Sequence, residues 1–101
     1  MANITKTQAR ARAKNIREKL EEQLSNIQDQ AEELRNLAEE MREESDNIEP
    51  YENKEELTEQ QEERQEWLTE QADTLEEQAD QLDQIASDLE ETISNLGDID
   101  F

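Results

Sequence analysis

The sequence contains no cysteine and no histidine among its 101 residues, and only one glycine, one proline and three aromatic residues. The lack of cysteine excludes disulfides, thiol catalysis and thiolate metal sites together. The lack of histidine removes the commonest acid–base group and the Glu-x-x-His ligands of di-iron bundles. Glycine-rich phosphate loops and calcium loops with a central glycine are also missing. We therefore predict that the protein is not an enzyme and has no catalytic residues, no metal site and no cofactor.

Long hydrophobic runs are absent as well. No apolar stretch approaches the roughly 18 residues that a membrane-spanning helix needs. The basic N-terminal region is not followed by a hydrophobic segment, so the pattern of a secretory signal is not met. These absences predict a protein without a membrane partner, located in the cytoplasm.

What the sequence does contain is a sustained seven-residue repeat of apolar residues. Its clearest row consists of Leu68, Leu75, Leu82, Leu89 and Leu96. Alanines follow four residues after the first three of these leucines, and an earlier row consists of Ala13, Leu20, Ile27, Leu34, Met41 and Ile48. A seven-residue repeat makes a continuous apolar seam on a helix that needs a partner helix. We predict an all-α protein, an antiparallel two-helix hairpin that resembles a coiled coil with Leu/Ala heptads.

Capping and breaking residues predict where the two helices begin and end. Thr5 followed by Gln8 resembles a capping box, and Pro50 cannot continue a helix. Asn53 followed by Glu56 resembles the start of a second helix, and Gly97 is a suitable stop. The predicted single domain, residues 1–101, therefore has helix 1 at about 5–48, a turn at about 49–53 and helix 2 at about 54–96.

Folding the chain about residue 51 predicts which residues face one another. It places Ala31 opposite Ala72, and Trp67 opposite Arg35. Trp67 is then either a flanking aromatic that covers the seam, stacked on the arginine, or a contact for a partner. Leu37 and Ile85 lie beside the main seam, so we expect them to form a second interface. A homodimer that makes a four-helix bundle would cover it.

Charge is distributed very unevenly along the chain. Residues 1–20 carry six basic residues and one acidic residue, whereas residues 21–101 carry four basic and 29 acidic ones. In the hairpin, the basic start is expected to lie beside Glu90, Glu91, Asp98 and Asp100 and to compensate them. This is a better interpretation of the basic segment than direct nucleic-acid binding, because the segment has no aromatic residues for stacking.

The acidity exceeds what solubility requires, since a small domain rarely needs a net charge beyond about 8. Residues 21–101 have 29 acidic and four basic residues, a net charge of −25, and spread along a helix of about 65 Å this gives one negative charge per about 2.6 Å. Duplex DNA carries one per about 1.7 Å. In size, acidity and lack of catalytic residues, the chain resembles the DNA-mimic inhibitors that phages and mobile elements use against host defence proteins.

That resemblance implies an inhibitor that occupies the basic nucleic-acid-binding surface of a host protein and does not itself bind nucleic acid. The expected partner-binding residues are Glu62, Glu63, Glu66, Glu70, Asp73, Glu76, Glu77, Asp80, Asp83 and Trp67. The alternative is a structural or adaptor coiled coil, such as an assembly scaffold or a helical chaperone, in which the apolar flank makes the contact. A third possibility is that the acidity is an adaptation to high salt.

Overall fold

The computed structural model describes residues 3–101, which form two long helices packed as an antiparallel hairpin. Helix α1 is Lys6–Asp46 and helix α2 is Glu59–Gly97. The molecule is a thin rod of 82 × 21 × 15 Å. The predicted all-α, coiled-coil-like hairpin is thereby confirmed. Residues 1 and 2 of the predicted domain lie outside the described part of the chain.

Reciprocal capping boxes begin both helices. The Oγ1 of Thr5 accepts a hydrogen bond from the backbone N–H of Gln8 at 3.1 Å, and the Gln8 side chain accepts one from the Thr5 N–H at 3.1 Å. This confirms the predicted start of the first helix. Thr58 and Gln61 make the same pair of bonds at the start of α2, at 3.1 and 2.9 Å. These bonds satisfy N–H groups that the first helical turn leaves without partners.

The predicted start of the second helix at residue 54 is wrong by five residues. Asn53 has a φ of 69°, the left-handed conformation of a turn, whereas the residue that caps a helix start has an extended backbone, as Thr58 does. The connection therefore spans residues 47–58, and α1 ends at Asp46 before Pro50 is reached. The side chain of Gln61, in the first turn of α2, donates a 2.9 Å hydrogen bond to the carbonyl of Glu49 in the connection. The connection therefore runs back along the start of α2.

Small residues line the seam where the helices approach. The buried positions are Ala31, Ala38 and Ser45 of α1 and Leu68, Ala72, Ala79, Ala86 and Ile93 of α2. Leu68 is the only large side chain among them that is almost fully covered, at 2 % exposed. The remaining leucines of the seven-residue row of α2, from Leu75 to Leu96, are only half-buried. The alanine rows thus let the backbones come close, and the leucine rows stay along one open edge of the hairpin.

The predicted register of the two helices is displaced by one heptad. The hydroxyl of Ser45 lies 3.3 Å from the carbonyl oxygen of Gln65 and 3.2 Å from the hydroxyl of Thr69, whereas folding about residue 51 places Ser45 beside the end of the connection. Heptad steps from this contact place Ala31 opposite Ala79 and not opposite Ala72. A one-heptad shift brings the same residue types together, so the seam itself does not distinguish the two registers. The connection does, because it spans residues 47–58 and not only the predicted 49–53.

Candidate partner-binding surface

The hairpin has two sides of different chemistry, which we call the charged side and the uncharged side. On the charged side, α2 shows a row of carboxylates that faces Arg35 and Arg42 of α1. On the uncharged side, the positions at heptad spacing are mainly glutamine, threonine and large apolar residues. They are Ile16, Gln23, Gln30, Leu37 and Glu44 of α1 and Arg64, Trp67, Gln71, Thr74, Gln78, Gln81, Ile85, Asp88, Thr92 and Asn95 of α2. Glu44 and Arg64 form an ion pair with each other, and the outer row of α1 on this side, residues 12, 19, 26, 33 and 40, adds two basic and two acidic residues, so this side carries little net charge.

Two arginines each hold two carboxylates across the helix–helix contact on the charged side. Arg42 donates to Asp73 at 2.7 Å and also to Glu76. Arg35, one heptad earlier, donates to Asp80 at 3.0 Å and also to Asp83. Four of the predicted partner-binding carboxylates are therefore already bound within the chain, and each cluster of one arginine and two carboxylates keeps one net negative charge.

These ion pairs favour the charged form of both guanidinium groups, which arginine already adopts at neutral pH. Hydrogen bonds to Asp83 and then Asp80 raise the pKa of Arg35 above its ordinary value. Arg42 is similarly affected, because hydrogen bonds to Glu76 and Asp73 raise its pKa. The sequence signal for these contacts was the seven-residue spacing of the two arginines beside the apolar row of α1, which the prediction did not use.

The other five predicted carboxylates are Glu62, Glu63, Glu66, Glu70 and Glu77. All of them are exposed, and within residues 3–101 none forms an ion pair. Apart from two adjacent pairs, at 62–63 and 76–77, successive members of the whole row of nine recur every three or four residues, so the row averages about 4 Å per carboxylate along the helix axis. Three of them, Glu62, Glu66 and Glu70, border a shallow groove beside Ser45. These five residues form a free negative surface on α2, and we call them the open carboxylates.

Trp67 does not belong to this surface. It lies on the uncharged side, where it lines an open groove of about 500 Å³ together with Leu37, Met41, Leu68 and Leu75. The predicted stacking of Trp67 on Arg35 is also wrong, because Arg35 binds Asp80 and Asp83 on the opposite side. Half of the Trp67 surface stays exposed, so the seam covers it only in part.

The basic start of α1 lies at the end of α2, as expected, although within residues 3–101 it forms no ion pair with the acidic residues there. Arg17 pairs with Glu21 of its own helix at 3.6 Å. Its guanidinium also sits against Gly97, where an added Cβ would lie 2.9 Å from the Arg17 Cζ. A positive charge there is favourable because the last carbonyls of a helix carry partial negative charge. Glu90, one of the predicted partners, instead accepts a 3.2 Å hydrogen bond from Gln28.

The described residues show neither a metal-binding cluster nor a membrane-spanning helix. Between residues 3 and 101, no group of three or more acidic side chains is arranged to hold a metal ion. Neither α1 nor α2 has a segment that is long and apolar enough to cross a membrane. Comparison with protein families, curated proteins and solved structures finds no match to this chain. The charged and uncharged sides are therefore the surfaces on which a function can be argued.

Proposed function

We propose that this protein is a non-enzymatic inhibitor that acts in the cytoplasm and uses its charged side to occupy the basic nucleic-acid-binding surface of a host protein. It would act as a DNA mimic, in the manner of the anti-defence inhibitors of phages and mobile elements. Glutamate and aspartate carboxylates would take the place of phosphates against lysine and arginine side chains of the target. The protein itself would bind no nucleic acid.

The observation that carries this proposal is the regular row of exposed carboxylates along one side of a straight helix. The row of nine carboxylates advances by about 4 Å per carboxylate on average, and α1 adds further acidic residues alongside it. A nucleic-acid strand advances by about 3.4 Å per phosphate along the axis of the duplex. A rigid rod with this spacing presents several negative charges together to an extended basic channel, without the entropy loss of ordering a flexible acidic tail.

The arginine–carboxylate clusters refine the proposal. Arg35 and Arg42 fix the directions of Asp73, Glu76, Asp80 and Asp83, so these carboxylates are held in place before a partner arrives. Each cluster offers one net negative charge to a target, while each open carboxylate offers its full charge. We therefore expect the open carboxylates, and not the clustered ones, to dominate binding.

An adaptor or scaffold function is the second candidate, and the groove around Trp67 favours it. A partner bound there would contact apolar side chains. Salt separates the two functions, since binding through exposed charges weakens steeply as salt is added, whereas apolar docking does not. The experiment immobilises the full chain and identifies the host proteins that it captures at low and at high salt. Proteins that are lost at high salt are then tested against the variants below.

The decisive variant reverses the charge of four open carboxylates, with Lys in place of Glu63, Glu66, Glu70 and Glu77. Each exposed ion pair contributes roughly 0.2–1 kcal/mol, so losing four contacts and adding repulsion should weaken binding by about 100-fold or more. Single reversals should give small, graded losses. Circular dichroism should stay helical, because all four residues are exposed.

A matched control reverses the same number of charges in the connection. It carries Lys in place of Glu49, Glu52, Glu55 and Glu56. This control has the same net charge as the first variant, so a general effect of charge would weaken both equally. The proposal requires the α2 variant to lose far more affinity than the control. Unchanged affinity in the α2 variant would support the adaptor function instead.

A further inference from the structure

A single hairpin leaves a large part of its apolar surface uncovered, and this surface lies on one side. Within the two helices, the exposed large hydrophobic residues are Ile16, Leu37, Trp67 and Ile85, at 54 %, 45 %, 50 % and 51 % exposed. All four belong to the uncharged side. They border the half-buried leucine and isoleucine rows of both helices, so the apolar stripe is continuous along the hairpin.

Net charge limits what can cover this stripe. The chain carries a formal charge of −20, so two copies would repel strongly wherever their charged sides met. The uncharged side is different, because Glu44 and Arg64 neutralise each other and the outer row of α1 carries two basic and two acidic residues, which leaves Asp88 uncompensated. The four residues of that row are Arg12, Lys19, Glu33 and Glu40. It is the one side of the described hairpin on which two copies can approach while their carboxylates face outward.

We propose that the uncharged side binds a second copy of this chain and forms a four-helix bundle. The overlapping part of the two helices is about 50 Å long, and one side of a hairpin is about 15–20 Å wide, which gives roughly 1,500–2,000 Å² buried over both copies. Specific protein–protein interfaces bury about 1,200–2,000 Å². The stripe thus has the area and the seven-residue spacing that helix packing in a bundle requires.

The ends of the rod decide the relative orientation of the two copies. The basic residues Lys6, Arg10, Arg12, Lys14, Arg17 and Lys19 lie at one end. The other end holds the connection, with Glu49, Glu52, Glu55 and Glu56 against Lys54 alone. The acidic residues at the end of α2, Glu90, Glu91, Asp98 and Asp100, compensate the basic start of α1, so this end of the rod is close to neutral. Parallel copies would bring two acidic connections together, whereas antiparallel copies place each connection beside the near-neutral end of its partner. The bundle is therefore antiparallel, with α1 over the partner's α1 and α2 over the partner's α2.

The oligomeric state of the full chain is the first test. Sedimentation equilibrium at tens of micromolar should give twice the 11.9 kDa mass of one chain. Leu37→Glu and Ile85→Glu, examined separately, should each weaken dimerisation by about 30-fold or more, because a charge in the apolar interface has no partner. Both sites are half exposed in one hairpin, so circular dichroism should stay helical. Ser87→Glu is the matched control, since it adds the same charge to α2 at an exposed position on the charged side.

Trp67 reports on the same surface. Its fluorescence should shift to shorter wavelength and become less accessible to acrylamide as the protein concentration rises through the dimerisation range. A monomer mass at tens of micromolar would overturn the proposal. So would dimers of Leu37→Glu and Ile85→Glu that are as stable as those of Ser87→Glu, because the interface would then lie elsewhere.

The orientation has its own measurement, which the absence of natural cysteine makes straightforward. Spin labels on a Thr92→Cys variant lie fourteen residues from the middle of α2, so antiparallel copies should separate them by about 40 Å. Labels on a Gln78→Cys variant, at the middle of α2, should stay close together. A short distance at both positions would show parallel copies and contradict the proposed arrangement. Neither outcome depends on the proposed inhibitor function, because the charged sides face outward in both orientations.

Discussion

Ser45 and Thr69 provide a direct test of the helix register. Their hydroxyl oxygens lie 3.2 Å apart across the seam, so cysteines at both positions need only a small side-chain movement to form a disulfide. A Ser45→Cys, Thr69→Cys variant should therefore cross-link within one chain under mild oxidation. Mobility on a non-reducing gel and the mass of the product distinguish this bond from one between two chains.

The size of the stabilisation follows from the loop that the bond closes. The two residues are 24 positions apart, and closing a loop of that length lowers the entropy of the unfolded chain by an amount worth about 3.5 kcal/mol. Urea unfolding of the oxidised and reduced forms of the same variant isolates this contribution. The loss of the Ser45 hydrogen bonds is common to both forms and cancels in the comparison. Both forms should be measured at one protein concentration.

The matched comparison is an Ala31→Cys, Ala72→Cys variant, which corresponds to the register expected from folding about residue 51. In the structure, Ala31 and Ala72 are offset from each other along the helix axes by about one heptad, or about 10 Å. This offset exceeds the Cα separation of about 7 Å that a disulfide can span. This pair should not cross-link within a chain without loss of helix packing. Rapid intramolecular cross-linking of this pair, with none between positions 45 and 69, would refute the register.

Two further substitutions test individual contacts. Gly97→Ala should raise the free energy of unfolding by about 0.5 kcal/mol, since alanine favours the helix and the flexible Arg17 side chain can move aside; urea denaturation showing a loss of about 1 kcal/mol would contradict this. Arg42→Gln should lower the urea midpoint more than Arg12→Gln, because Arg42 joins the two helices and Arg12 forms no such ion pair in the described part of the chain. The difference should shrink as salt is added. Equal midpoints at low salt would show that the Arg42 cluster does not stabilise the hairpin.

The sequence predicted the helices well because their signals are local. The heptad rows and the capping box at Thr5 determine where helices form and which faces they bury, whatever the partner. The register was not predictable in the same way, since neighbouring heptads are interchangeable. It depended on the start of α2, which the capping signal at Asn53 placed too early, whereas Thr58 makes the reciprocal bonds.

The candidate surface was predictable in part. Acidic residues at outward heptad positions had to be exposed, and all nine are. Which of them are free depends on the register, because Arg42 reaches Asp73 and Glu76 only when α2 is displaced by a heptad. Trp67 was grouped with the carboxylates although its own spacing identifies its side, since it lies three residues after Arg64 and four before Gln71 in any register.

Competition with DNA tests the central claim most directly. A basic host protein captured at low salt should first be loaded with fluorescently labelled duplex DNA and then titrated with this protein. If the carboxylates of α2 occupy the DNA-binding surface, DNA should be released in proportion to the protein bound. The variant with Lys in place of Glu63, Glu66, Glu70 and Glu77 should release none. A ternary complex that keeps its DNA while this protein is bound would contradict the mimicry.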